Sequence, residues 1–186
     1  MSARPIVTAE NPLLRRKSKR VTRFGDGLRE LVSDMFDSMH AAGGLGLAAP
    51  QIGVLERVFI VEMPPEIDED GQEISPARRY VLVNPEIVHM RGEEEMGEEE
   101  MGEEEMEEGC LSVPGFRGLV KRATSVTIKG RQLRGKPVRY QASDLLAQAF
   151  QHELDHLDGI LYLDRLESAD KLWRVDTHPE EVSPLR

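Results

Sequence analysis

The sequence predicts an α+β fold, with antiparallel β-sheets packed around a central helix that carries an H-E-x-x-H motif. Three observations lead there. Residues 26–44 and 143–159 are apolar at three- and four-residue spacing, the signature of helices with one buried face. The runs between them are short, β-branched and bounded by turn residues, as strands are. A chain of 186 residues fits one domain with a sizeable core. That domain is expected over 1–170, with an insertion at 92–106 and a C-terminal tail at 171–186 whose end, "HPEEVSPLR", is expected to fray.

The elements follow in order. After an extended start, "DGLRELVSDMFDSMHAAGG" places Leu28, Leu31, Val32, Met35, Phe36 and Met39 on one helical face. Asp26 is the expected N-cap, and Gly43–Gly44 the stop. "GLGLAAPQIG" (44–53) is rich in small residues and reads as a loop or an irregular edge segment. "RVFIVEM" (57–63) and "RYVLVNPEIV" (79–88) read as strands, joined by a polar loop. "SVTIKGRQLRGKPVRYQA" (125–142) reads as two strands around a turn. "SDLLAQAFQHELDHLDG" (143–159) is the second helix, with Ser143 as cap and Gly159 as terminator. The 26–42 helix is expected on the outside.

Composition excludes several classes. No apolar run approaches the ~20 residues that cross a bilayer, and no apolar signal segment opens the chain, so a cytoplasmic location without membrane partner is expected. A single cysteine, Cys110, allows no internal disulfide. The net charge of −10 is local: residues 92–108 hold eleven Glu and no Lys or Arg, and without them the chain carries +1. Acidity therefore says little about partners, and no sequence-specific nucleic-acid partner is expected. The core of that run is "GEEEM" three times in tandem. Carboxylate repulsion and a glycine every fifth residue disfavour compaction, so a solvated loop or frayed extension is expected.

The chemistry concentrates in "QHELDHLDG". Residues four apart on a helix lie nearly in line, so His152 and His156 can share one metal ion. Glu153 sits about 100° further round, within reach of a water at that metal. Leu145 and Ala149 continue the histidine face toward the N-terminus. A hydrolytic site uses three protein ligands and keeps one position open. Asp158, Asp164, Glu167 and Asp170 follow the motif closely, with no second long helix to return one of them. Cys110, in "EEGCLSVPG", is the better candidate, and a thiolate with two imidazoles suits zinc, iron(II), cobalt or nickel.

Three segments in the same order, "GLGLAAPQIG", "EGCLS" and "QHELDHLDG", resemble the signature motifs of bacterial peptide deformylases. "NPLLRRKSKRV" and "LVNPEI" are similar too, and the resemblance spans about residues 5–170 outside the repeat. It implies removal of the formyl group from N-terminal formylmethionine of nascent chains, with the ribosome as an associated partner. It implies Cys110, His152 and His156 as ligands of a divalent metal, with Fe2+ favoured over Zn2+, Ni2+ or Co2+. It implies Glu153 as proton carrier, and Gln51 and the Leu111 N–H as oxyanion donors. Leu45, Gly46, Gly109 and Arg117 match positions beside the substrate. Leu145 and Ala149 are expected to line the methionine pocket, with Met106 a further candidate. A zincin-type peptidase and a catalytically silent metal-binding relative are the alternatives.

Overall fold

The computed structural model describes residues 3–91 and 103–175. Helix α1 runs Asp26–Ala41, followed by strand β1 (Gly46–Ala48), a 3-10 turn (Ala49–Ile52) and β2 (Val58–Met63). A small hairpin, β3 (Glu66–Ile67) and β4 (Glu73–Ser75), precedes the long β5 (Arg78–Arg91). Then come β6 (Glu103–Cys110), β7 (Val113–Ala123), β8 (Ser125–Arg131) and β9 (Pro137–Ser143). Helix α2 (Asp144–Asp158) follows, and β10 (Leu172–Arg174) is the last strand described.

A five-stranded antiparallel sheet, ordered β1-β2-β5-β8-β9, has a helix on each face. Strand β2 shows why: Val58, Phe59, Ile60 and Val61 are all fully buried. Alternate side chains leave a strand on opposite faces. Val58 and Ile60 pack with Leu28, Leu31, Val32, Met35 and Met39 of α1. Phe59 and Val61 pack with Ala147, Phe150 and Leu157 of α2. A second antiparallel sheet, β10-β7-β6, lies against α2 from the other side. Hence α2 is enclosed, and its buried residues run round the helix and include Gln148, Gln151, Glu153 and Asp155. Each of those polar side chains except Glu153 has a protein partner for its buried polar groups.

The α+β architecture, the central α2 and the outer α1 agree with the sequence reading. Several local expectations change. Gly25, not Asp26, is the N-cap of α1, and Asp26 instead pairs with Arg29 from the first turn. Ser143 is the N-cap residue of α2, but its side chain accepts no capping bond; β9 runs straight into the helix through a left-handed Asp144 (φ 51°). Gly159 closes α2 at φ 77°, as expected. Of the two forms expected for residues 44–53, residues 46–48 take the edge segment, pairing with Val61–Phe59 of β2. The last repeat unit is strand rather than solvated loop: Glu103–Met106 open β6, in register with Ala123–Val120. The rest of the repeat, and the tail beyond 175, fall outside the described residues. The first residues of the expected tail, Leu172–Arg174, pair with Gly118–Phe116. Strand β7 was not anticipated, because Pro114, Gly115 and Gly118 interrupt its apolar pattern.

Candidate metal centre

Two scaffolds meet at the site. Helix α2 supplies His152 and His156, whose ring centroids are 5.0 Å apart. Strand β6 ends in a register shift at Gly109/Cys110, which turns the Cys110 side chain toward the helix. Ligand atoms of Cys110, His152 and His156 all lie within 4.8 Å of one another. Cys110 Sγ is 3.2 Å from His156 Nε2. A tetrahedral ion with bonds of ~2.1–2.3 Å needs donors roughly 3.4–3.7 Å apart, so this group fits one cation with little movement.

The remaining nitrogen of His152 is occupied. Its Nδ1 donates to Glu108 Oε2 at 2.7 Å, which leaves Nε2 for the cation. Glu108 in turn accepts two bonds from Arg122, at 2.6 and 3.0 Å. Arg122 also reaches Asp155 at 2.7 Å, and Asp155 holds Arg165 at 2.5 and 2.6 Å. Burial alone would raise the Glu108 carboxyl; hydrogen bonds from His152 and Arg122 outweigh it and hold the group at about 2. Burial and the neighbouring His152 keep His156 well below the usual histidine range, which favours the neutral ring that ligates metals.

Glu153 stands beside these ligands in a different state. It is 4% exposed, and its Oε2 has no hydrogen-bond partner. Burial pushes its carboxyl up to about 7, with Glu108 adding to the rise and His152 opposing it. Gly46 makes room for it: a Cβ there would meet Glu153 Oε1 at 2.4 Å. Across the site, Gln51 is fixed by the Ala48 N–H, which donates to its Oε1 at 2.8 Å. Its Nε2 is thereby aimed at Ser112 Oγ (3.2 Å) and Cys110 Sγ (3.6 Å).

The site opens into a cavity of about 630 Å³. Leu45, Gly46, Gln51, Gly109, Cys110, Leu111, Arg117, Leu145, Ala149, His152 and Glu153 all border it, and His156 lies deeper, against Cys110 and His152, so the structure brings the expected site residues together. Met106 is absent from that lining; it lies half-buried opposite Val120. Arg117 pairs with Glu107 at 2.7 Å at the cavity mouth. Sequence reasoning missed Glu108, Arg122, Asp155 and Arg165. Nothing in a run of eleven glutamates singles out Glu108; only the burial of its carboxyl does.

The family model described as Polypeptide deformylase matches residues 3–172. The chain belongs to that family. It is similar to the peptide deformylase of Thermomicrobium roseum, at 43% identity over 183 residues, covering 98% of this chain and 97% of that protein. Among solved structures, a peptide deformylase from Legionella pneumophila matches at 41% identity and a TM-score of 0.75, covering 91% and 89% of the two chains. One from Synechococcus elongatus, in complex with actinonin, matches at 34% identity and a TM-score of 0.77, covering 92% and 84%. The deformylase likeness spans both sheets and both helices, and the Cys110–His152–His156 group within it can hold a metal. Among the described residues no helix is long and apolar enough to cross a membrane.

Proposed function

We propose that this protein hydrolyses the formamide of N-terminal formylmethionine on nascent polypeptides, releasing formate and a free methionine amine. The observation that carries the reading is a buried carboxylate with one unpartnered oxygen, Glu153, beside a sulfur-and-two-imidazole group on an open cavity. Cys110, His152 and His156 would hold one divalent metal, Fe2+ as the native ion, with Zn2+, Ni2+ and Co2+ also suited to these donors. When bound, the ion acts as a Lewis acid and lowers the pKa of water toward ~7.

The chain's own residues do the rest. Glu153, with a carboxyl poised near neutrality, takes the proton of the attacking water as oxygen bonds to the formyl carbon. It then delivers that proton to the methionine nitrogen as the C–N bond breaks, which balances the reaction as formate plus amine. Gln51 Nε2 and the Leu111 N–H donate to the developing oxyanion; each donor is worth roughly 3 kcal/mol of transition-state stabilisation. Leu145 and Ala149 give the methionine side chain an apolar wall two turns and one turn before His152. Leu45, Gly46, Gly109 and Arg117 border the peptide. The reaction belongs in the cytoplasm, at the ribosome, where formylated chains emerge.

A zincin-type peptidase is disfavoured because the third donor here is a strand cysteine rather than a residue from a following helix. A silent metal-binding relative is disfavoured because holding a metal requires neither Glu153 nor Gln51. Formate release from a formyl-Met peptide, assayed beside cleavage of the unformylated peptide, tests the reading. Formate from the first and no cut in the second is the expected result; internal cleavage of either would overturn it.

A further inference from the structure

The cavity has an outer part that the chemistry above leaves unused. Among the described residues seven large apolar side chains are exposed, and three of them, Leu45 (44%), Leu145 (45%) and Val175 (37%), border the cavity. Scattered exposed apolar residues are ordinary, but three round one cavity mark a surface that a ligand covers. Leu145 and Leu45 already have roles beside the methionine and the peptide. Val175 has none, and it lies beyond the residues that the family model matches. Residues 42–45, 113–116 and 175 bring no charged or polar side chain to the cavity. The carboxylates and the guanidinium that border it, Glu107, Glu108, Glu153 and Arg117, come from β6, α2 and the middle of β7.

Val175 is held in place by the strand it follows. Leu172, Trp173 and Arg174 of β10 pair with Gly118, Arg117 and Phe116 of β7. The Val175 N–H continues the ladder, donating to Gly115 O at 3.0 Å. Gly118 lets the returning chain come this close: a Cβ there would meet Leu166 Cδ2 at 2.8 Å and Lys171 O at 3.1 Å. The Arg174 guanidinium lies 5.5 Å from the centre of the Phe116 ring, a further tie between the two strands next to Val175. The 42–45 segment is bound to the reacting centre in a similar way. A Cβ on Gly44 would meet Leu111 Cδ1 at 2.7 Å, so only bare backbone fits beside Leu111 there.

We propose that residues 42–45, 113–116 and Val175 form a second side-chain subsite, which takes an apolar residue two places after the methionine. The assignment rests on the deformylation reading. The methionine wall and the Val175 surface belong to one cavity, and in an extended peptide side chains two apart leave the same side, roughly 7 Å from each other. The side chain between them points out of the cavity. An apolar third residue covers Val175 and releases water from it, whereas a charged one is desolvated there without a partner. The chain thereby selects among formylated peptides by their third residue.

The test uses the metal-loaded full chain and formyl-Met-Ala-X peptides, with Leu, Ser or Lys as X. Wild-type kcat/KM should favour Leu over Ser by about fivefold, since an open surface covers a side chain only in part. Val175→Ser should bring that ratio to about one, whereas Ile74→Ser, at an exposed apolar position on β4, should keep it. Val175→Asp should reverse the order and favour Lys over Leu, a gain that a misfolded chain cannot show. Formyl-Met-Leu-Ala and formyl-Met-Ser-Ala carry the same side chains one residue earlier, and Val175→Ser should leave their ratio unchanged. Equal rates on Leu and Ser in the wild type, a wild-type ratio in Val175→Ser, or an effect at the earlier position alone would overturn the subsite. Calorimetry of the same peptides with Glu153→Ala, which removes turnover, should give the same order of affinities, and equal affinities would overturn the subsite too. Ordered affinities without formate release from any peptide by the wild type would overturn the deformylation reading and retain the subsite, so the two fail separately.

Discussion

Gly46 lacks a side chain because Glu153 fills the space a Cβ would take, 2.4 Å from Oε1 and 3.0 Å from Cδ. At such a contact something must shift, and the carboxylate is the mobile partner. Gly46→Ala should therefore leave metal content unchanged and lower kcat by about 10–100-fold, since small misplacements of a reacting group carry such costs. Unchanged kcat would show that the close approach has no catalytic meaning. Glu153→Ala removes the proton carrier itself. Metal stoichiometry, measured on the same sample as formate release, should persist while kcat falls about 10²–10⁴-fold. Full activity in that variant would remove Glu153 from the mechanism.

At the scale of elements, β6 and α2 are joined by charge as well as by packing. Glu108 of β6 links His152 of α2 to Arg122 of β7, and all three are nearly inaccessible to water. Glu108→Gln leaves Arg122 with less negative charge in a buried place. It should destabilise the fold by about 3–5 kcal/mol and weaken metal binding by 10–100-fold, measured by thermal unfolding and chelator competition. The sign with pH follows from the depressed carboxyl, at about 2 folded against 4.5 unfolded. Its contribution, on the order of 3 kcal/mol, is present above about pH 4.5 and is lost as pH falls toward 2. The stability gap between wild type and Glu108→Gln should close across that window; a gap constant with pH would contradict the pairing. These elements also mark what the sequence could convey. Helices α1 and α2 were legible from apolar spacing, and the metal group from residue chemistry and motif order. Strand β7 was not, because its glycines and proline break the pattern, and Glu108 was not, because burial is set by tertiary packing. Gly46 was legible as a site glycine, but its closest neighbour, Glu153, comes from the far helix.

For the whole molecule, residues 92–102 of the acidic repeat lie in sequence between β5 and β6, and the seven residues of β6 before Cys110, four of them from the last repeat unit, separate them from the metal group. Added length between two strands changes loop-closure entropy only slightly. Deleting residues 92–101 should leave kcat/KM within about twofold for acidic, neutral and basic formyl-Met peptides alike, and stability within about 0.5 kcal/mol. A tenfold change on charged peptides alone would make the repeat part of substrate selection. The arrangement as a whole depends on two sheets clamping one helix so that a strand sulfur meets two helix imidazoles. Metal-edge X-ray absorption on anaerobically purified protein tests this most directly. One sulfur at ~2.3 Å with two nitrogens at ~2.1 Å is the expected shell. A bound metal with no sulfur in its shell, unaltered in Cys110→Ala, would contradict it.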